Sequence, residues 1–124
     1  MATAYLGLGS NHPQARRYLD SALSALRDAF GSVDVSESIV TDAVNGVDPP
    51  YTNAAARIST ALEPEALNRE LKAIEASLGR TRPAVKTHPN IVEIDIDLVV
   101  YDGDVLRPRD FSAQYFAPLY QSLL

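Results

Sequence analysis

The sequence lacks cysteine altogether, which excludes disulfide bonds and thiolate metal sites. It also lacks an excess of positive charge: its formal net charge is −5 at pH 7, so the basic surface of a nucleic-acid-binding protein is not expected. No apolar stretch approaches the roughly 18 residues of a membrane-spanning helix, and no basic segment followed by an apolar one marks a secretory signal. We therefore expect a single cytoplasmic domain over residues 1–124, without nucleic-acid or membrane partners.

The spacing of apolar residues predicts two strand–helix–strand units in succession. Period-two alternation and short apolar runs favour strands at 3–9, 33–40, 51–60 and 94–101. Three- and four-residue spacing favours helices over 13–30 and 63–78, each followed by a glycine. The remaining long segments are an exposed loop at 42–50 and a basic loop at 80–90. This order predicts an α+β fold, a ferredoxin-like βαββαβ sandwich in which helices pack on an antiparallel sheet.

Acidic and apolar residues alternate at the start of the last predicted strand. Because residues two apart on a strand face the same way, Asp95 and Asp97 are expected to project side by side. Two adjacent carboxylates raise each other's pKa unless a cation neutralises them. Mg²⁺ is typically held by one or two carboxylates together with substrate phosphates. The spacing alone leaves two interpretations open, a magnesium site or a charged sheet face turned to solvent.

Four short motifs carry a resemblance to a known family. They occur in order along residues 3–106: Ala4 to Asn11, Tyr51-x-Asn53-Ala54-Ala55, Ile74-Glu75-x3-Gly79-Arg80-x-Arg82, and Ile94-Asp95-Ile96-Asp97-Leu98. Together they resemble 6-hydroxymethyl-7,8-dihydropterin pyrophosphokinase (HPPK), of which this chain looks like a short and divergent member. The resemblance implies a folate-pathway enzyme that transfers pyrophosphate from ATP to the hydroxymethyl group of a pterin and releases AMP.

The resemblance also implies roles for individual residues. Two Mg²⁺ ions would be held by Asp95 and Asp97, which would act in catalysis with Arg80 and Arg82. The predicted residues for ATP are Glu75, Arg80, Arg82 and Lys86. The predicted residues for the pterin are Gly9, Thr41, Val44, Tyr51, Asn53 and Phe116. The expected partners are therefore two small molecules, ATP and a pterin.

Several positions depart from the family pattern and leave alternatives open. Val92 stands where the family commonly has an arginine, three residues before the first metal-binding aspartate, and Asp42 places an acid in the second loop. A Pro-His pair expected after the last strand is absent, since the two histidines are at 12 and 88. One alternative is therefore the same donor chemistry with another acceptor, and another is a non-catalytic binding module. The apolar segment 115–124 favours a monomer or a weak homo-oligomer formed through this tail.

Overall fold

The first strand, β1 (Ala2–Ser10), runs through the middle of an antiparallel sheet. In the computed structural model, which describes residues 1–43, 46–83 and 89–124, β1 pairs with β4 (Tyr51–Thr60) on one side and β5 (Asp95–Tyr101) on the other. The outer strands are short. They are β2 (Asp34–Val35) and β3 (Ile39–Thr41), which both pair with β4, and β6 (Asp104–Val105), which pairs with β5.

Two helices, α1 (Ala15–Phe30) and α2 (Pro64–Ser77), cover one face of the sheet. The apolar stripe of α1 is buried, and the helix ends at Gly31, whose φ of 82° suits a residue without a side chain. Pro64 begins α2, where its fixed φ and missing N–H do no harm. The predicted sandwich of antiparallel sheet and packed helices is confirmed. No helix in the described part of the chain is long and apolar enough to cross a bilayer.

The prediction of one strand over 33–40 is wrong, because the segment forms two short strands with a bulge between them. Val35 pairs with Ala56 and Ile39 with Asn53, so four steps along one strand face three along the other. Ser36 sits at the bulge, where its hydroxyl accepts a hydrogen bond from the Ala55 N–H at 2.8 Å. The extra residue shifts the pairing register by one, so that Thr41 pairs with Tyr51 at the start of β4.

The C-terminal segment, for which the sequence predicts no regular element, forms α3 (Pro108–Phe111) and α4 (Phe116–Leu123). Helix α4 covers the other face of the sheet, where its buried residues pack with Val99 and Ala55. The buried members of α4 are Phe116, Leu119 and Leu123. The apolar face of this tail therefore covers the chain's own sheet.

Candidate active site

A cavity of about 1000 Å³ opens where the end of β1 meets the beginnings of β4 and β5. The three strand ends meet because the strands alternate in direction, so Gly9 pairs with Asn53 on one side and with Asp95 on the other. Six of the predicted site residues line the cavity: Gly9, Thr41, Tyr51, Asn53, Asp95 and Asp97. The sheet thus brings together residues that are far apart in the sequence.

On the β4 side of the cavity, Asn53 is held by its neighbours. It is 5% exposed, and its Nδ2 donates a hydrogen bond to the Thr41 Oγ1 at 2.7 Å. A Cβ on Gly9 would lie 3.1 Å from the Asn53 Oδ1, so the glycine leaves room for the amide group. Tyr51 lies opposite Thr41 and is half-buried. Val44, also predicted for this side, lies outside the described residues.

On the β5 side, Asp95 and Asp97 face the cavity together, as the alternation predicts. Burial raises the pKa of Asp95 to about 7, and the neighbouring Asp97 adds to the effect. No group of three or more histidine, aspartate, glutamate or cysteine side chains among the described residues is placed to hold a metal ion. A pair of carboxylates nevertheless fits Mg²⁺ when a substrate phosphate completes the ligand set, because a cation would stabilise their ionised forms.

Glu75 lies behind the carboxylate pair and is fully buried. Its carboxylate accepts hydrogen bonds from the Ile96 N–H at 2.6 Å, from Arg82 at 2.6 Å and from Lys72 at 2.9 Å. Burial acts to raise the pKa of Glu75, but these hydrogen bonds outweigh it, and the pKa lies below its ordinary value. Glu75 therefore ties α2 to β5 and holds two cations beside the site.

The predicted phosphate-binding arginines lie beside the cavity and are not among the described residues that line it. Arg82 is bonded to Glu75 and remains half exposed. The Nη1 of Arg80 lies 3.9 Å from the Glu93 carboxylate, and its buried Nε has no hydrogen-bond partner among the described residues. Lys86, the third predicted cation, lies outside the described residues.

Phe116 was predicted to contact the pterin, but it does not line the cavity, and this prediction is corrected. Its ring is 0% exposed and stacks on Tyr120 with centroids 5.8 Å apart, inside the core between the sheet and α4. A fully buried ring cannot contact a ligand in the cavity. Tyr115, the preceding residue, lines the cavity instead, and burial raises the pKa of its hydroxyl to about 12. Phe116 begins α4, an element for which the periodicity of the sequence gives no signal.

Three cationic side chains near the carboxylates were not predicted from the sequence. Lys72 Nζ lies 3.3 Å from the Asp97 Oδ1, and Arg107 Nη1 lies 3.8 Å from the same oxygen. Arg109 also lines the cavity. The position of Lys72 beside Glu75 could have been predicted from the sequence, because the two residues are three apart and share a helix face. Arg107 and Arg109 were not, because their segment has no periodic pattern.

The position of the missing family arginine is occupied by a structural residue. Val92 is 7% exposed, and its N–H donates a hydrogen bond to the Asn11 Oδ1 at 2.6 Å. The Asn11 N–H donates in turn to the Val92 carbonyl at 3.1 Å. This reciprocal pair fixes the chain just before β5 and so helps to position the two aspartates.

A cavity that joins two carboxylates to several cations has the chemistry of a phosphoryl-transfer site, where charge neutralisation and positioning do most of the work. Comparison with known sequences agrees with this class. The family described as 7,8-dihydro-6-hydroxymethylpterin-pyrophosphokinase (HPPK) matches residues 5–121, and the chain belongs to this family. The resemblance found in the sequence motifs is thereby confirmed.

Curated relatives support the same family over most of the chain. A protein of Pseudomonas putida is 36% identical over 116 residues, which cover 86% of this chain and 88% of that protein. A protein of Haemophilus influenzae is 32% identical over 94% of this chain and 72% of its own length, and one of Aquifex aeolicus is 31% identical over 88% and 67%. All three are named 2-amino-4-hydroxy-6-hydroxymethyldihydropteridine pyrophosphokinase.

Proposed function

We propose that this chain transfers pyrophosphate from ATP to 6-hydroxymethyl-7,8-dihydropterin and releases AMP, as a step of folate biosynthesis. Family membership supports the reaction. The observation that carries the proposal for this particular site is the pairing of Gly9 with both Asn53 and Asp95. This pairing places the Asn53 amide, which suits a heterocycle, and the Asp95 carboxylate, which suits a metal ion, on either side of Gly9.

The acceptor side would be formed by Asn53, Thr41, Tyr51 and Gly9. A carboxamide offers both a donor and an acceptor to the edge of a pterin ring, and the contact with Thr41 fixes its orientation. The half-buried ring of Tyr51 offers a surface for stacking. Tyr115 is added to this set in place of Phe116, because its side chain lines the same cavity.

The donor side would be formed by Asp95 and Asp97, whose carboxylates would hold two Mg²⁺ ions when ATP binds. Magnesium, when bound, would neutralise the charges on the phosphates and hold donor and acceptor in line. Arg80, Arg82 and Lys86 are proposed to contact the triphosphate, with Glu75 as the residue that orients Arg82. The guanidinium groups of the arginines suit bidentate contacts with phosphate oxygens.

One observation keeps a second acceptor in consideration. Asp42 lines the cavity on the side assigned to the pterin, where it adds a negative charge. This charge would favour an acceptor that carries a positive charge or several hydrogen-bond donors. Pyrophosphate transfer to a pterin analogue of that kind, in preference to 6-hydroxymethyl-7,8-dihydropterin, would establish the second candidate.

We propose that the protein is cytoplasmic and that it is a monomer in solution. The apolar face of α4 is already covered by the sheet of the same chain, which leaves little apolar surface in this tail for self-association. Light scattering after size-exclusion chromatography tests this proposal. A mass of one chain, 13.4 kDa, is expected, and a dimer at micromolar concentration would contradict it.

The reaction is tested by AMP release from Mg-ATP in the presence and absence of 6-hydroxymethyl-7,8-dihydropterin. Pterin-dependent AMP is expected from the wild type, and none above background from a double variant with Asp95→Asn and Asp97→Asn. Asp28→Asn is the control, because Asp28 lies on the exposed side of α1. Absence of pterin-dependent AMP from the wild type, or its full retention in the double variant, would contradict the proposal.

A further inference from the structure

Lys72 lies among four oxygen atoms at the back of the carboxylate pair. Its Nζ is 2.9 Å from the Glu75 Oε2, 3.1 Å from the Ile96 carbonyl oxygen and 3.3 Å from the Asp97 Oδ1. The Asp95 Oδ1 is 4.0 Å away. A surface lysine on a helix rarely collects so many oxygen partners, because its long side chain loses conformational freedom when it is held in one place.

This ammonium group is shared between Glu75 and the two aspartates. Glu75 has a second cationic partner in Arg82, whose Nη2 lies 2.6 Å from the Glu75 Oε1, whereas Lys72 is the cation that also reaches both aspartates. The Lys72 side chain is 35% exposed, so solvent screens it only in part. Asp95 and Asp97 would otherwise face each other as two like charges in a partly buried site.

We propose that Lys72 is an internal counter-cation of the carboxylate pair, so that the divalent ion enters the site together with the triphosphate and not ahead of it. This inference rests on the proposed function, because it takes Asp95 and Asp97 as the residues that hold the metal. It adds a residue and an order of binding that the family motifs found in the sequence do not include.

The order follows from the signs of the charges. A free divalent ion that approaches the carboxylates meets repulsion from the ammonium group only a few ångströms away. A triphosphate with its metal carries a net negative charge, so the same ammonium group attracts the complex as a whole. Lys72 therefore weakens binding of the metal alone and strengthens binding of the metal–nucleotide complex.

The test compares two equilibria in the wild type and in Lys72→Met. Mn²⁺ binding without nucleotide is measured by electron paramagnetic resonance, and binding of the Mg²⁺ complex of α,β-methylene-ATP is measured by calorimetry. We expect Lys72→Met to bind Mn²⁺ about three- to tenfold more tightly and the nucleotide complex more weakly by a similar factor, as loss of a partly screened charge predicts. Lys72→Arg, which keeps the charge, is expected to remain close to the wild type.

Arg69→Met is the matched control, because it removes one positive charge from an exposed position of the same helix. It is expected to leave both equilibria unchanged. Thermal unfolding without metal checks that each variant folds, and Lys72→Gln serves as a second uncharged variant if Lys72→Met is unstable. A merely structural role of Lys72 would weaken both equilibria in both uncharged variants, and this result would overturn the proposal.

The two proposals fail in distinguishable ways. If the wild type releases pterin-dependent AMP but the uncharged variants bind Mn²⁺ no more tightly, the function stands and the role of Lys72 is overturned. If Mn²⁺ binding is unaffected by Asp95→Asn and Asp97→Asn, the metal lies elsewhere and both the ligand assignment and the role of Lys72 are overturned.

Discussion

Asn53 and Asp95 lie on opposite sides of Gly9, each paired with it across the sheet. One carries a neutral carboxamide and the other a carboxyl group whose pKa is raised to about 7 by burial and by Asp97. The carboxamide and the carboxyl group are thus separated by a residue without a side chain. The width of the cavity between them depends on that absence.

Gly9→Ala is therefore expected to impair the acceptor side. The added Cβ would lie 3.1 Å from the Asn53 Oδ1, and displacement of the amide should raise the KM for the pterin about ten- to a hundredfold while the KM for ATP changes little. Steady-state kinetics with each substrate varied in turn measures both. Gly7→Ala is the control, because its Cβ would make ordinary contacts with Val99 and Phe116. Equal effects on both substrates would contradict the assignment.

Thr41→Val removes the hydroxyl that accepts the hydrogen bond from Asn53 at 2.7 Å. A neutral hydrogen bond contributes about 1 kcal/mol, so the Kd for the pterin should rise about fivefold as the amide loses its fixed orientation. Fluorescence titration with the pterin measures this change. Thr41→Ser, which keeps the hydroxyl, should restore the affinity, and a Thr41→Ser variant as weak as Thr41→Val would count against orientation as the cause.

Glu75→Gln should lower stability in a pH-dependent way. The folded pKa of Glu75 lies below its ordinary value of 4.5, so the ionised carboxylate stabilises the fold above that pH and the contribution disappears as the pH falls through the folded pKa. Loss of a buried, doubly paired carboxylate should lower the free energy of unfolding by about 3 kcal/mol at pH 7, and by progressively less as the pH falls below 4.5 and through the lower pKa of the folded state.

Urea unfolding of the wild type and of Glu75→Gln over a series of pH values, from 7 down to the acid limit of folding, measures this trend. Glu70→Gln, at an exposed position of the same helix, is the control and should change stability little at any of these pH values. A destabilisation by Glu75→Gln that stays the same size over the whole series would show that the charge of Glu75 is not the cause.

Tyr115 and Phe116 should behave in opposite ways when each is replaced by alanine. Phe116→Ala empties a core position and is expected to lower the free energy of unfolding by about 3–5 kcal/mol. Tyr115→Ala removes a ring that lines the cavity, so it should weaken pterin binding with a smaller loss of stability. Thermal unfolding and pterin titration of both variants separate the two roles. The reverse pattern would restore Phe116 as the ligand residue.

The central strands and the two long helices were predictable because each has a buried face with a regular period. The same is true of Asp95 and Asp97, whose alternation with Ile94 and Ile96 fixes the direction of both carboxylates. The strand predicted over 33–40 was wrong because a bulge at Ser36 depends on a hydrogen bond to Ala55, a partner 19 residues away. Local periodicity carries no record of such a partner.

The remaining parts of the site depend on contacts across long distances in the chain. Arg107 reaches Asp97 only because the short β6 turns the chain back along β5. Lys72 reaches the same carboxylate from a helix, where its spacing from Glu75 places the two together but does not show what lies above them. Charge clusters that join different elements are therefore the part that a single sequence reveals least.

The central position of β1 also has a consequence for the order in which the protein forms during synthesis. Strand β1 leaves the ribosome before both of its neighbours, β4 and β5, and β5 begins only at Asp95. Once β4 has been made, β1 has the neighbouring strand with which it forms the acceptor side of the cavity. The donor side requires another strand, so competence to bind ATP would arise only after β5 has left the ribosome and paired with β1.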